Sequence, residues 1–178
     1  MPTRPQAAKR AHKPVHAPVR KKATGKVAAL HAKRNAKPGP FIAWYQMNFA
    51  DKIDIIRAGI PARLVGELSS VMNISKEALI DSLGLSRATI NRKVLREQPL
   101  SPEESERVMG MQALIGQVQA MVDEESAPGF NAAQWLASWL SSPLPALGGA
   151  TPASFLDTVE GQKYIGNLLD MTRSGTYA

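Results

Sequence analysis

Several residue types that support catalysis or covalent cross-linking are missing from most of this chain. The sequence contains no cysteine, and its only histidines lie near its start, at His12, His16 and His31. The absence of cysteine excludes a disulfide scaffold and is compatible with a reducing cytoplasm. Beyond residue 40, the lack of both residue types also excludes Cys- or His-based nucleophilic catalysis and most zinc chemistry. No apolar run approaches the roughly 18 residues of a membrane span. We therefore expect a cytoplasmic protein with no membrane partner and no metal or other cofactor.

Acidic residues are absent from residues 1–40, although the whole chain has 15 of them. The same segment holds 11 of the 22 lysines and arginines and six of the 13 prolines. Because it has almost no large apolar residues, it cannot bury enough surface to offset its chain entropy, and we expect a disordered basic tail. The overall charge of +7 belongs to this tail, since residues 41–178 carry a net charge of −4. A solvated polycation, a non-specific DNA-phosphate arm and a targeting peptide all remain open for it.

Capping signals after residue 40 indicate a series of helices, and no segment alternates like a strand over enough length to count. Gly59 fits a helix C-cap, and Pro61 fits the first position of the next helix. Ser101, Pro102 and Glu104 form a capping-box pattern for a long helix that is predicted to run to about residue 123. Later helix starts are predicted at Asn131 with Gln134, at Thr151 with Pro152, and at Thr158. The predicted fold class is all-α.

The segment SKEALIDSLGLSRATINRKV is typical of a helix-turn-helix. Gly84 would supply the positive φ of a sharp turn, and Leu85 would fill the gap between the two helices. The small core predicted between them consists of Ile80, Leu83, Leu85, Ile90 and Val94. Any short helical hairpin with a glycine turn shows the same pattern, so that reading remains open from the pattern alone.

The outward face of the second helix is predicted to be basic and to bind DNA, through Arg87, Thr89, Asn91, Arg92, Lys93 and Arg96. A recognition helix reads base edges mainly from its N-terminal turns, so Arg87, Thr89 and Asn91 are the candidate base contacts. Arginine pairs bidentately with guanine, and asparagine pairs with adenine. Lys93 and Arg96 are predicted to hold phosphates. Because one such helix gives marginal affinity, we expect a homodimer that reads two half-sites about one helical turn apart.

The C-terminal part differs in composition, with tryptophans, leucines and the residues of tight turns. Trp135 and Trp139 lie four residues apart, which predicts a buried stripe on one helix face. The sequence 147–149, Leu-Gly-Gly, predicts a tight turn. Phe155 and Leu156 are expected to face inward, and Gly161 would allow the backbone of another segment to approach closely. This spacing describes small helices packed on tryptophan and leucine, and by itself it gives no chemistry.

Taken together, these motifs resemble the toxin-binding domain of the Xre/MbcA/ParS-type antitoxins. The matching order is Trp139-Leu140, Pro143, Leu147-Gly148-Gly149-Ala150-Thr151-Pro152, Leu156-Asp157-Thr158, Gly161, Leu168-Leu169 and Gly175. The upstream helix-turn-helix followed by LSPEESERV is similar to the Xre-like part of that family. The resemblance covers about residues 50–178, and the LGGATP…LDTVEG spacing is its specific part. It says nothing about the basic tail.

The resemblance implies a domain order and a function. After the disordered basic tail at 1–40, which is expected from composition alone, the resemblance implies an Xre-like helix-turn-helix domain at 41–122 and a toxin-binding domain at 123–178. A long helix would join the two folded domains. Members of this family resemble type II antitoxins that bind a RES-domain toxin, which consumes NAD⁺, and that repress the shared operon through operator DNA. A homodimer and a larger toxin–antitoxin complex are the expected assemblies.

In this family the C-terminal end projects into the active-site cleft of the toxin. The resemblance therefore implies toxin contacts at Arg173, Gly175, Thr176, Tyr177 and Ala178. Tyr177 offers a flat ring, and the carboxylate of Ala178 offers an anion for cations that hold pyrophosphate. Gly175 would let the chain leave the last helix, and Arg173 would pair with an acidic residue of the toxin. The alternative interpretation is that Arg173 only complements the helix dipole and that Tyr177 packs on its own domain.

Two other functions are alternatives to that of an antitoxin. The first is a stand-alone helix-turn-helix regulator whose C-terminal module dimerises or binds another partner. The second is an enzyme, which we do not expect, because the folded part lacks His, Cys and a phosphate-cradling Gly loop. Its acidic run, residues 123–125, belongs to a helix end or linker and is expected to be solvated.

Overall fold

The computed structural model describes residues 41–122 and 127–173, and within these ranges the chain is helical with no β-strand. Its α-helices are α1 (Ile42–Tyr45), α2 (Phe49–Ala58), α3 (Leu64–Met72), α4 (Lys76–Ser82), α5 (Arg87–Leu95), α6 (Pro102–Met121), α7 (Ala132–Leu140) and α8 (Val159–Arg173). Two 3₁₀ helices, Pro145–Leu147 and Pro152–Phe155, connect α7 to α8. The predicted all-α fold is confirmed. The tail predicted to be disordered, residues 1–40, lies outside the described residues.

Side-chain caps begin most of the helices where the sequence indicates them. The side chains of six residues accept a hydrogen bond from the backbone N–H three positions on: Asn48, Ser75, Ser86, Ser101, Asn131 and Thr158. At Ser101 the capping box is complete, because Glu104 Oε2 accepts the backbone N–H of Ser101 at 2.7 Å. The capping side chain and the backbone N–H that donates to it are only three residues apart, so such starts can be recognised in the sequence.

The connection between α2 and α3 differs from the prediction. Gly59 ends α2 with φ 75°, as expected, but α3 begins after Pro61 rather than at it. The carbonyl of Ile60 accepts the N–H of Leu100 at 2.8 Å, and Pro61 forms an isolated antiparallel bridge with Pro99. This pairing with the loop before α6 holds the residues after α2 in an extended conformation. The pairing is long-range, so the local proline rule could not foresee it.

The long helix α6 is the centre of the fold. It packs against α1, α2, α7 and α8, and one continuous core runs from Ile55 to Leu169. Glycines let its neighbours approach closely: a Cβ on Gly116 would lie 2.3 Å from the carbonyl oxygen of Phe41. The helix therefore joins the N-terminal and C-terminal halves, as predicted. The predicted domain boundary falls at residues 122 and 123, beside the undescribed stretch 123–126, and it stays a prediction.

Two candidate interaction surfaces

Gly84 and Leu85 form the turn between α4 and α5. Gly84 has φ 60°, and Leu85 is only 8% exposed. The other residues of the predicted small core are buried or partly buried: Ile80, Leu83, Ile90 and Val94. Arg107 of α6 donates a hydrogen bond to the carbonyl of Gly84 at 2.9 Å. The helix-turn-helix is thus formed as predicted, and its turn is fixed to the long helix.

The predicted DNA-facing residues lie along α5 and at its C-cap, and we call them the α5 surface: Arg87, Thr89, Asn91, Arg92, Lys93 and Arg96. Thr89 and Lys93 are half-buried, and the other four are exposed. In residues 41–122 and 127–173, neither Arg92 nor Arg96 takes part in a salt bridge. Their guanidinium groups are therefore available to an anionic partner.

Arg87, in the first turn of α5, is paired with Asp81 in the last turn of α4. Arg87 Nε donates to Asp81 Oδ1 at 2.8 Å, and Arg87 Nη2 donates to Asp81 Oδ2. Both side chains are 54% exposed. The hydrogen bond from Arg87, together with its charge, lowers the pKa of Asp81, and the same pair raises the pKa of Arg87. The pair therefore stays ionised near neutral pH on an open surface.

Asn91 and Lys93 also have partners outside α5. Lys76 Nζ, on α4, donates a hydrogen bond to Asn91 Oδ1 at 2.8 Å. Lys93 Nζ donates to Glu104 Oε2 at 2.5 Å, and these two side chains are only 16% and 17% exposed. Lys93 is thus tied to the start of α6, and its phosphate contact stays a prediction. The sequence predictions missed Asp81 and Lys76, although both lie on the helix that precedes the recognition helix.

Trp135 and Trp139 do not form the buried stripe that their spacing predicts. Trp135 is 39% exposed and stacks on the half-buried Trp139, with ring centroids 6.3 Å apart. Phe130, which is 37% exposed, lies 6.3 Å from Trp135 between ring centroids. We call Phe130, Trp135 and Trp139 the aromatic surface. A cavity of about 250 Å³ adjoins Phe130 and is also lined by Phe41 and Val71.

The buried face of α7 explains why its tryptophans point outward. That face consists of Ala132, Ala133, Leu136, Ala137 and Leu140. The alanines let α7 pack closely against α3 and α6, and a pair of indole rings on this face would hold the helices apart. In the sequence, the three alanines could have identified the buried face of α7, because they mark the face of closest packing more reliably than the tryptophans do.

The LGGATP…LDTVEG segment forms the compact connection that leads into α8. Gly148 and Gly149 adopt positive φ angles of 64° and 87°, which confirms the predicted tight turn. Leu156 is fully buried, and Phe155 is half-buried and packs against the core, so both residues face inward as predicted. A Cβ on Gly161 would lie 1.8 Å from the carbonyl oxygen of Phe155. The predicted close approach at Gly161 is therefore confirmed.

Two buried glutamines fix α8 to α6. Gln117 Nε2 of α6 donates to the carbonyl of Gly166 at 2.9 Å. Gln162 Nε2 of α8 donates to the carbonyls of Arg107 and Leu156 at 3.0 and 2.9 Å. Because buried amides are costly to leave unpaired, these bonds set the register of the two helices.

The last helix ends at Arg173, the first of the predicted toxin contacts. The structure describes the backbone of Arg173 but not its side chain. The other predicted toxin contacts lie outside the described residues: Gly175, Thr176, Tyr177 and Ala178. All five roles therefore stay predictions.

The described parts of the chain contain no group of three or more His, Cys, Asp or Glu residues that could hold a metal ion. No helix in those parts is long and apolar enough to cross a membrane. The features from which a function can be argued are therefore the α5 surface, the aromatic surface and the anchored helix α8.

The fold is thus that of a helix-turn-helix protein, in which one long helix joins the helix-turn-helix to a second helical unit with exposed aromatic residues. Residues 51–110 match the family model of the antitoxin Xre-like helix-turn-helix domain. Residues 128–175 match the family model of the antitoxin Xre/MbcA/ParS C-terminal toxin-binding domain. The chain belongs to the Xre/MbcA/ParS antitoxin family and is the antitoxin of a toxin–antitoxin system, so its partner is a toxin protein.

Two curated relatives extend over most of the chain. It is 39% identical over 146 residues to the Prs ADP-ribosylating antitoxin of Sphingobium sp. (strain YBL2), which covers 82% of this chain and 92% of the relative. It is 23% identical over 126 residues to the Antitoxin Xre of Yersinia enterocolitica serotype O:8 / biotype 1B, which covers 71% of this chain and 80% of the relative. The similarity therefore includes both halves of the fold rather than one domain.

Proposed function

We propose that this antitoxin blocks the active site of a RES-type, NAD⁺-consuming toxin with the segment that follows α8. The observation that carries this proposal is the anchoring of α8. Gln117 and Gln162 hold it on α6 through bonds of 2.9 and 3.0 Å, and residues 174–178 continue directly from its end. A segment that starts from a rigid point loses less conformational freedom on binding than one on a mobile helix.

The residues after α8 suit a pocket that binds NAD⁺. Tyr177 supplies a flat ring for the space of a base or nicotinamide, and Gly175 allows the chain to leave the helix direction. Arg173, the last residue of α8, would pair with an acidic residue of the toxin. The name of the Sphingobium relative refers to ADP-ribosylation, and that reaction takes its ADP-ribose from NAD⁺. This chemistry supports an NAD⁺-consuming target.

We propose that the aromatic surface forms a second contact with the toxin. Phe130, Trp135 and Trp139 lie within the segment that matches the toxin-binding family model. Tryptophan is enriched among the residues that dominate protein–protein binding energies. Trp135 stacks on Trp139, and the neighbouring Phe130 lines a cavity. Exposed aromatic area of this kind is typical of a surface that a partner covers.

Deletion of residues Gly175–Ala178 tests the blockade directly. The deletion removes the segment proposed to occupy the toxin's active site but leaves α8 and its anchoring glutamines in place. Co-expressed with the RES-domain toxin of the same operon, the deleted antitoxin is expected to lose protection, measured as colony-forming units and as cellular NAD⁺. The full-length chain with an N-terminal tag is the matched control and is expected to protect fully.

Binding measurements separate the possible outcomes of this deletion. The deleted protein is expected to retain its melting temperature and part of its toxin affinity through the aromatic surface. Complete neutralisation by the deleted protein would contradict the blockade and would leave the helical surface as the inhibitor. Loss of protection together with loss of folding would be recognised by circular dichroism and would contradict the assigned role of the segment.

We also propose that the helix-turn-helix represses the operon by binding operator DNA through the α5 surface. The exposed cations at Arg92 and Arg96 favour phosphate contacts, and Arg87 and Asn91 lie in the first turns of the recognition helix. As a homodimer the chain would present two such helices, and toxin binding would change how many are presented to the operator. Membership of an antitoxin family argues against the stand-alone regulator.

A further inference from the structure

We propose that Asp81 and Lys76 of α4 are positioning residues for base recognition by α5. In this inference, which rests on the proposed DNA binding, Asp81 orients the guanidinium group of Arg87 for guanine. Lys76 orients the amide of Asn91 for adenine. The specificity of the recognition helix would then be set partly by the helix in front of it.

The donors of Arg87 show why its ion pair does not compete with DNA. A guanidinium group has five N–H donors in a fixed plane. Asp81 takes Nε–H and one hydrogen of Nη2, and so Nη1 and the second hydrogen of Nη2 remain. One hydrogen of Nη1 and the second hydrogen of Nη2 lie along the same edge of the plane. This edge can donate in parallel to guanine O6 and N7. The pair with Asp81 therefore holds Arg87 with a complete guanine-reading edge free.

Asp81 also changes what Arg87 prefers. A free arginine side chain is long and loses rotamer entropy when it is ordered, and its full charge is attracted to any phosphate. The Asp81 carboxylate fixes the head group before DNA arrives and offsets its charge. It therefore lowers the entropy cost of the guanine contact and weakens a non-specific phosphate contact. Asp81 is expected to raise specificity and to lower affinity for random DNA.

Lys76 acts on Asn91 in a parallel way. Reading adenine requires the amide oxygen to accept from N6 and the amide nitrogen to donate to N7. Lys76 Nζ donates to Asn91 Oδ1 at 2.8 Å, which fixes which end of the amide is oxygen. The oxygen keeps a second lone pair for the adenine, and Lys76 keeps two N–H donors for a phosphate. A rotated amide would present the wrong pattern to the same base.

Exposure separates these pairs from a structural one. The Arg87–Asp81 side chains are each 54% exposed, and ion pairs as open as this contribute little to folding. The Lys93–Glu104 pair is far less exposed, at 16% and 17%, and it joins α5 to the capped start of α6. The structural work of fixing α5 is thus done by the second pair. The Arg87–Asp81 pair instead sets the direction of the Arg87 side chain.

The test compares full-length wild type with Asp81→Ala, using Glu77→Ala as the matched control. Glu77 is also an exposed carboxylate on α4, but no hydrogen bond joins it to Arg87 among the described contacts. Both variants remove one negative charge near α5. The probe is a pool of DNA duplexes with a randomised 30-base-pair centre, selected by binding and sequenced. Affinity for one fixed random duplex is measured in parallel at several salt concentrations.

Asp81→Ala is expected to lower the preference for one guanine in each half-site by about tenfold, a typical share of one bidentate contact. Its affinity for the random duplex is expected to rise by about two- to fivefold, since one repulsive charge is removed. Glu77→Ala is expected to raise random-duplex affinity similarly but to keep the guanine preference. Arg87→Ala identifies the affected position, and Lys76→Met is expected to relax a separate adenine position.

The outcomes distinguish the inference from the function on which it rests. If wild type enriches no sequence from the pool, sequence-specific DNA binding itself is refuted, and the inference falls with it. If Arg87→Ala erases a guanine that Asp81→Ala retains, DNA reading stands and the positioning role of Asp81 is overturned. If Asp81→Ala lowers specific and random affinity equally, together with its melting temperature, the role of Asp81 is structural and the inference is likewise overturned.

Discussion

The α5 surface and the aromatic surface are built on the same core, and they expose opposite chemistry. On α5, three head groups are held by residues of neighbouring helices: Arg87 by Asp81, Asn91 by Lys76, and Lys93 by Glu104. On α7, Trp135 is 39% exposed, and its ring contacts the rings of Phe130 and Trp139. One surface consists of oriented polar groups, and the other consists of apolar area.

This difference agrees with the two partners that we propose, DNA and the toxin. Charged and oriented polar groups suit DNA, because phosphates supply most of the affinity and base edges supply the direction. Exposed aromatic area suits a protein, because burying it gives affinity without a charge pattern. Substitutions on one surface should therefore leave binding at the other unchanged. The following predictions test that separation.

Trp135→Ala is expected to have the largest effect on binding. It removes the most exposed ring of the stacked pair on α7, and truncating a central interface tryptophan commonly weakens binding by about 30-fold or more. Affinity for the toxin is expected to fall by that factor in isothermal titration calorimetry. Affinity for a random DNA duplex is expected to stay within about twofold of wild type, since the charge on α5 is unchanged.

Two residues on the same helix provide the controls. Gln134→Ala truncates an exposed neighbour and should leave toxin affinity unchanged. Leu136→Ala truncates a fully buried neighbour and should lower the free energy of unfolding by about 2–5 kcal/mol. If Trp135→Ala destabilised the fold as much as Leu136→Ala, the tryptophan would be part of the core. If it disrupted a homodimer instead of toxin binding, the aromatic surface would be the contact between two copies of the chain.

Local signals predicted the helices and their order, but they did not predict which way the side chains face. The starts at Ser101 and Asn131 are correct because a cap and its partner are three residues apart. The positive φ of Gly84 is correct for the same reason, since the turn is short. Each of these features depends on a few neighbouring residues.

The errors and omissions all involve contacts between different structural elements. Periodicity alone placed Trp135 in the core, but the alanines of α7 pack there and the ring points outward. The pairing of Asp81 with Arg87 depends on the angle between α4 and α5, which no local pattern gives. The direction of Lys93 depends on the start of α6, where Glu104 also caps the helix. Tertiary packing therefore decided the chemistry of both surfaces.

Arg92→Ala is expected to have an intermediate effect, confined to DNA. Arg92 is exposed and takes part in no salt bridge within the described ranges, so its charge is available to a phosphate. Losing one phosphate contact should reduce the slope of log affinity against log salt concentration by about 1. Gel-shift titrations at several salt concentrations measure this slope. The same variant should bind the toxin as wild type does.

Arg63→Ala is the control for Arg92→Ala. Arg63 is an exposed arginine just before α3, and its loss changes the net charge equally. If both variants reduced the slope by the same amount, the DNA contact would depend on overall charge rather than on the α5 surface. A drop in toxin affinity with Arg92→Ala would contradict the separation of the two surfaces.

Lys93→Met is expected to have the smallest effect on DNA binding, although Lys93 lies on the same helix as Arg92. Its ammonium group is already paired with Glu104 and is only 16% exposed, so little of its charge reaches a phosphate. The salt slope is expected to change by less than about 0.5, whereas the free energy of unfolding should fall by about 1–2 kcal/mol because Glu104 loses a partner in a half-buried site. Urea denaturation measures the second quantity, and the double variant Lys93→Met with Glu104→Gln restores the wild-type net charge. A slope change as large as that of Arg92→Ala would mean that Lys93 leaves Glu104 to hold a phosphate, and the α5 surface would then rearrange on binding rather than meet DNA preformed.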